Sequence, residues 1–256
     1  MREPVVFRGV AAHWPALQRW VPERLAEMAG DRMVEVVVGD REGGAPVFES
    51  MPLRAFFTRW PEADESGAPA LYLKEFNLLD ALPRLAEDVD FSPYERPGAT
   101  CWHDAWVSQA GGRTNLRSDL LDNTLTQIVG RKRVTLISPA WSADVYPSPK
   151  FDPYARLSLV DAFAPDFARF PRYRTALTHE LQVVLEPGDA VYIPRGWWHT
   201  AQSLSASISI AGFWETRWAR ATVMLLEDVR RALHRVGVYK RGHCTCHPAA
   251  GQRSAA

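Results

Sequence analysis

The chain has 256 residues, of which 46% are hydrophobic, and its 30 Lys+Arg balance 30 Asp+Glu to a formal net charge of zero. This composition fits one well-cored domain or a tightly joined pair, and it excludes a disordered chain. Zero net charge excludes a global attraction to nucleic acid or anionic lipid, and three cysteines are too few for a disulfide framework.

The N-terminal third, residues 1–100, is predicted to be a mixed α/β segment that packs on the following domain. Strand patterns occupy residues 4–9, 34–38 and 70–73. Residues 21–28 predict a short helix because Pro22 stands in its first turn and acidic residues follow early. Residues 79–86 predict a second helix, since their leucines share one helical face.

Residues 101–216 are predicted to form a small β-barrel or double sheet. Strand patterns recur at 106–108, 124–129, 133–137, 181–185, 190–193 and 207–213. Between them, residues 146–173 contain five prolines and no clear period. We interpret this stretch as an insertion across one mouth of the barrel, where long loops often bind substrate.

Residues 217–256 are predicted to form a C-terminal helix and a basic tail. Apolar residues step by three and four along this helix, at Trp218, Ala221, Leu225, Val229, Ala232 and Val236. The stripe would serve equally well to cover the barrel or to form a homodimer. We interpret the basic residues as a solvated face rather than a nucleic-acid site.

The tail also contains a short motif with His243, Cys244, Cys246 and His247. Its ligands are too closely spaced to close a structural zinc tetrahedron, so a frayed tail is the preferred interpretation. The sequence contains no run of 18 apolar residues, and no apolar stretch of a signal peptide follows Met1. We therefore expect a cytoplasmic protein that makes no membrane contact.

Two stretches, residues 111–133 and 186–199, carry most of the functional information. They contain Pro-Gly-Asp at 187–189, Tyr-Ile-Pro at 192–194, Trp-Trp-His at 197–199, and a spacing of nine from Asn123 to Lys132. In this order and at these spacings, the motifs resemble the JmjC/cupin-like oxygenases that use Fe(II) and 2-oxoglutarate, especially the asparaginyl-hydroxylase type. The resemblance extends from Pro4 to Trp214.

The resemblance implies a mostly β (α+β) fold, a double-stranded β-helix of the cupin or jelly-roll type. Asp119 and His199 match two of the family's iron ligands, and Lys132 matches the lysine that pairs with the far carboxylate of 2-oxoglutarate. Tyr72, Thr114 and Asn123 match polar groups that line the same cosubstrate. These residue types suit the chemistry, because a buried dicarboxylate needs a cation and hydrogen-bond donors.

The chain departs from the family where the first ligand histidine would stand, at Arg117. A guanidinium has five donors and no lone pair for a metal. Placed about 4 Å from a divalent cation, it is repelled by roughly 8 kcal/mol at an effective dielectric constant of about 20. Arg117 lies two residues before Asp119, on the same face of a strand, where the two would pair. We expect a weak or absent iron site.

Three other positions bear on this expectation. Gly212 stands where related hydroxylases tend to carry a polar residue near the metal, so we expect one hydrogen bond fewer there. His103 and His179 are candidates to replace the lost ligand, although a lone histidine is more often a core or surface residue.

Three functions stay open. The first is an Fe(II)/2-oxoglutarate oxygenase with a non-standard site, acting on a small molecule or a peptide side chain; it ranks first because so much of the pocket suits the cosubstrate. The second is an inactive relative, a binding or partner subunit that holds a dicarboxylate on Arg117 and Lys132 without metal. The third is a metal-independent enzyme that uses Asp119 or His199 as acid or base and Arg117 as an oxyanion stabiliser.

Overall fold

A computed structural model describes residues 2–39, 47–61, 70–95, 99–215, 217–240 and 242–244. Its strands are β1 (Val5–Phe7), β2 (Met33–Val38), β3 (Val47–Pro52), β4 (Leu71–Phe76), β5 (Thr100–Ser108), β6 (Arg113–Asp119), β7 (Asp122–Val129), β8 (Lys132–Ile137), β9 (Ala155–Leu157), β10 (Leu181–Leu185), β11 (Ala190–Ile193), β12 (Trp198–Ser203) and β13 (Ser207–Trp214). Its α-helices are α1 (Ala16–Arg19), α2 (Pro22–Ala29), α3 (Leu53–Arg59), α4 (Leu78–Ala81), α5 (Tyr173–Leu177) and α6 (Arg217–Arg235), and short 3₁₀ turns cover Pro83–Asp88 and Pro139–Trp141.

The strands form two antiparallel sheets. The larger has the order β1-β11-β7-β13-β5-β4-β2-β3, and the smaller has the order β10-β8-β12-β6-β9. Apolar side chains of both sheets meet in one core, including Trp106 and Phe213 from the larger sheet and Val134 and Leu185 from the smaller. The predicted mostly β fold of the cupin or jelly-roll type is confirmed.

The N-terminal segment extends the larger sheet and covers part of it. Strands β2, β3 and β4 continue this sheet beyond β5. A second apolar cluster joins Trp20, Phe56 and Trp60 of the N-terminal segment to Val107 and Ile208 of the larger sheet. The indole Nε1 of Trp60 also donates to the backbone oxygen of Ser108 at 2.8 Å, which ties the two parts together.

The insertion at 146–173 contains one short strand, β9, which pairs with β6 so that Leu157 lies opposite Arg117. Residues 152–154, just before β9, line the mouth of the cavity described below. The insertion therefore lies beside the candidate site, at the end of the barrel where we expected it.

Helix α6 forms as predicted, but its apolar stripe does not cover the barrel. Leu225, Val229 and Val236 are 67%, 47% and 70% exposed, whereas Glu227 and His234 are buried. The helix instead contacts the barrel with Val223 and Met224, which pack against the core between the two sheets, and Arg231 donates to the hydroxyl of Tyr154 at 2.8 Å. The predicted stripe is therefore not the face that covers the barrel, and the homodimer stays a prediction.

The tail is described only at residues 242–244, and Cys246 and His247 lie outside the described residues. These residues contact the insertion, where the backbone nitrogen of Phe151 donates to the backbone oxygen of His243 at 2.8 Å. Within the described ranges, no helix is both long enough and apolar enough to cross a membrane.

Candidate functional site

All seven predicted site residues line one inner cavity of about 30 Å³ between the two sheets: Tyr72, Thr114, Arg117, Asp119, Asn123, Lys132 and His199. Strand geometry explains why Arg117, Asp119 and His199 lie together. Side chains two residues apart share a face of a strand, which places Arg117 beside Asp119 on β6. Strand β12 pairs with β6 so that His199 lies directly opposite Arg117. The roles that the resemblance assigns to these residues stay predictions.

Arg117 is held between two carboxylates. Its Nε donates to Oδ1 of Asp119 at 3.2 Å, and its Nη1 donates to Oε1 of Glu75. Burial of the side chain lowers the pKa of Arg117, but the charges of Asp119 and Glu75 outweigh it and raise that pKa above its ordinary value. The guanidinium is therefore a permanent cation inside the cavity.

The two matched metal ligands lie close together. Nε2 of His199 is 3.6 Å from Oδ2 of Asp119, and the amide of Asn123 donates to the same oxygen at 3.3 Å. Nδ1 of His199 lies 3.2 Å from the backbone oxygen of Trp197. Burial lowers the pKa of His199, so the imidazole is neutral near pH 7.

The cosubstrate end of the cavity contains a buried lysine without a counter-ion. Lys132 is 1% exposed, and its ammonium group has no hydrogen bond or ion pair with the described residues. Burial lowers its pKa to about 7. The hydroxyls of Tyr72 and Thr114 lie 2.9 Å apart in the same cavity, and Oδ1 of Asn123 is buried with no hydrogen-bond partner among the described residues. The lysine and the hydroxyls are the groups that a carboxylate would need, and at about 30 Å³ the cavity must widen to admit one.

A wider cavity of about 430 Å³ opens outside Arg117 and Asp119, which line both cavities. Its walls include Trp102 and Tyr154, and its further carboxylates are Glu75, Asp104 and Asp152. Burial raises the pKa of Asp104 to about 6. Sequence reasoning missed these acids, because they lie on three separate segments of the chain and no motif connects them.

The two histidines considered as replacement ligands lie away from Asp119 and His199. His103 binds Glu95 at 3.0 Å and stacks on Phe91, while His179 stacks on Trp141, and neither lines the cavities around Asp119.

Gly212 was expected near the metal, and this was wrong. A Cβ at Gly212 would meet Oε1 of Glu95 at 1.9 Å and the ring of His103 at 3.3 Å. Because side chains alternate along a strand, Gly212 faces the side of β13 opposite Phe213, which lines the outer cavity.

The residues present do not fit an iron ion. Two protein donors remain, and one oxygen of Asp119 already accepts from the guanidinium of Arg117. Among the described residues, no group of three His, Cys, Asp or Glu side chains is arranged to hold a metal. A non-heme iron site needs two histidines and a carboxylate. The cosubstrate end is different, since the buried Lys132 and its neighbouring hydroxyls fit a carboxylate.

Comparison with known proteins agrees with this fold. A family model described as a cupin-like domain matches residues 1–220. Lysine-specific demethylase 8 of Xenopus tropicalis is 34% identical over 220 residues, covering 83% of this chain and 48% of the relative. Jumonji C domain-containing protein 5 of Drosophila melanogaster is 30% identical over 223 residues, covering 83% and 55%.

A relative named for a different activity is tRNA wybutosine-synthesizing protein 5 of Gallus gallus, which is 29% identical over 238 residues, covering 84% of this chain and 71% of the relative. The chain spans about half the length of the Xenopus and Drosophila relatives. The double-stranded β-helix with its buried Asp119, His199 and Lys132 is that of a JmjC-type cupin. The chain belongs to the cupin-like JmjC family, whose members include Fe(II)- and 2-oxoglutarate-dependent oxygenases.

Proposed function

We propose that this protein binds a dicarboxylate of the 2-oxoglutarate type without metal and acts as a binding member of its family rather than an oxygenase. The observation that carries the proposal is the ion pair of Arg117 with Asp119 beside an unpaired, buried Lys132. The first position of the family's ligand set is a cation here. The pocket therefore contains a cation at each end, with Lys132 lacking a counter-ion among the described residues and Arg117 paired with Asp119 and Glu75.

Charge and burial support this pocket as a binding site. An ammonium group that is fully buried without a counter-ion is costly to the folded state, and such groups are typically kept for function. A carboxylate ligand would satisfy Lys132, while a second carboxylate would meet the guanidinium of Arg117. Both side chains line the same inner cavity.

A second candidate function is the oxygenase with a non-standard site, and one observation favours it. Asp119 and His199 lie side by side, 3.6 Å apart, as two ligands of a shared metal would. In that case the carboxylates at the outer cavity would receive a cationic side chain, in keeping with the names of the lysine-specific demethylase relatives. Three cysteines in the whole sequence favour a reducing compartment such as the cytoplasm for either function.

The test is calorimetric titration of 2-oxoglutarate into the EDTA-treated protein, with Lys132→Met as the variant and Lys150→Met, an exposed lysine, as the matched control. We expect binding by the natural chain and by Lys150→Met and none by Lys132→Met. Adding Fe(II) should leave the affinity unchanged and should release no succinate. Binding that appears only with iron, or succinate release by the natural chain, would support the oxygenase instead.

A further inference from the structure

Arg117 makes two contacts of different kinds. The side chain of Asp119 is 7% exposed and also accepts from Asn123 inside the cavity. The side chain of Glu75 is 49% exposed, and its hydrogen bond to Arg117 is the one that it makes among the described residues. Water can solvate the half-exposed carboxylate of Glu75 after its release, whereas the buried carboxylate of Asp119 would be left without solvent. Glu75 is therefore the partner that Arg117 can exchange.

The backbone at Glu75 is held in an unusual conformation. Its φ is +52°, in the left-handed region that a glutamate rarely adopts. Glu75 also lies at an irregularity of the β4–β5 pairing, where the register shifts between Leu73 and Phe76. Strained residues of this kind cluster at binding sites and switches. The strained backbone of Glu75 places its carboxylate beside Arg117, one of the two residues that separate the inner cavity from the outer one.

An anion that enters from solvent must pass this wall. The outer cavity of about 430 Å³ is open to solvent, and Arg117 and Asp119 separate it from the inner cavity that contains Lys132. The ligand's carboxylate and the Glu75 carboxylate have the same charge and the same hydrogen-bonding geometry toward a guanidinium. The two would compete for one edge of Arg117.

We propose that Glu75 is an internal competitor of the ligand, a carboxylate that occupies Arg117 in the empty protein and is displaced when a dicarboxylate binds. This inference rests on the proposed function. It makes Glu75 a determinant of affinity, because each binding event must break the Glu75–Arg117 pair.

The experiment compares Glu75→Gln with Asp152→Asn in calorimetric titrations of 2-oxoglutarate into the metal-free protein. Both substitutions remove one negative charge from the outer cavity. Asp152 raises the pKa of Arg117 through its charge, whereas Glu75 raises it through its charge and a hydrogen bond. Glutamine keeps the size of the side chain and is a weaker acceptor. Loss of a charge-assisted hydrogen bond predicts about tenfold tighter binding for Glu75→Gln. General relief of repulsion predicts less than about threefold for Asp152→Asn.

The outcomes of these titrations distinguish the competitor role of Glu75 from the proposed function. Tighter binding by Glu75→Gln than by Asp152→Asn supports the competitor. Binding by Glu75→Gln alone overturns it, because the ligand then does not displace Glu75 in the natural chain. Equal or weaker binding by Glu75→Gln, while the natural chain binds, overturns the competitor and leaves the proposed function standing. Absence of binding in all three proteins overturns both. Melting temperatures of the three proteins, measured alongside, confirm that each is folded, which we expect because Glu75 is half exposed.

Discussion

The Nε of Arg117 lies 3.2 Å from Oδ1 of Asp119, so a guanidinium is paired with the carboxylate that matches a metal ligand of the family. This single contact changes what the pocket can hold. In the family pattern the strand presents a neutral imidazole and a carboxylate to a cation, whereas here it presents a cation already paired with that carboxylate. The surrounding barrel and the buried Lys132 still match the family pattern.

Arg117→His should give the chain a metal site. The substitution removes the resident cation and supplies a third ligand next to Asp119 and opposite His199. We expect the variant to bind Co(II), read by its visible absorption, and the natural chain to bind none. Arg133→His, which adds a histidine at an exposed position of β8, is the control. A folded variant that takes up no metal, or a natural chain that does, would contradict this prediction.

The residues of the inner cavity could be predicted from the sequence because motifs fix their order and strand periodicity fixes their side. Arg117 and Asp119 are two residues apart, so one strand aligns them. The contact of Glu75 with Arg117 could not be predicted in this way. Glu75 lies where the pairing of β4 with β5 shifts register, and strand periodicity does not predict where a side chain points at such a shift. Strand β9 was also missed, since three residues carry no period and their pairing with β6 is long-range.

The orientation of α6 could not be read from its sequence either. An apolar stripe indicates that one face avoids water, but it does not say what covers that face. The buried side of the helix instead has Glu227, which accepts from Arg230 of the same helix, and His234, which contacts Phe151 of the insertion and the backbone oxygen of Tyr239. These contacts, together with the packing of Val223 and Met224 on the barrel core, accompany the observed orientation.

Gly212→Ala should destabilise the fold without affecting the cavity. Its Cβ would displace the carboxylate of Glu95, which lies 3.0 Å from the ring of His103. Because Glu95 is a flexible side chain, we expect a loss of only about 1–2 kcal/mol in the free energy of unfolding. Urea denaturation measures it, and adding Glu95→Ala should recover part of the loss. No loss, or weaker 2-oxoglutarate binding at equal stability, would contradict this assignment.

The exposed apolar face of α6 predicts a homodimer. Leu225, Val229 and Val236 recur at the spacing of a helix-to-helix seam, and a second copy supplies the same seam in a two-fold arrangement. Val229→Glu should produce a monomer in sedimentation velocity at unchanged melting temperature. Leu181→Glu, at an exposed leucine of β10, should leave the dimer intact. A natural chain that sediments as a monomer at every concentration would contradict the prediction.

Lys132→Met should stabilise the ligand-free protein. Burial lowers the pKa of Lys132 from 10.5 to about 7, so between these values the unfolded chain binds more protons than the folded one. Stability of the natural chain should therefore rise with pH over this range. At pH 7 the gain from methionine should be roughly 2–4 kcal/mol and should shrink toward pH 10. Denaturation at both pH values measures it, and an unchanged or lower stability at pH 7 would contradict the prediction.

Binding of 2-oxoglutarate should weaken as the pH rises above about 7. The ligand needs the ammonium form of Lys132, whose pKa in the empty cavity is about 7, so each further pH unit should lower the affinity by up to about tenfold. Lys132→Arg keeps a permanent charge and should remove this dependence. A change that persists near pH 6 in that variant belongs to Asp104, whose pKa burial raises to about 6. Titrations from pH 6 to pH 9 test this, and equal slopes above pH 7 in the natural chain and in Lys132→Arg would show that Lys132 does not hold the ligand.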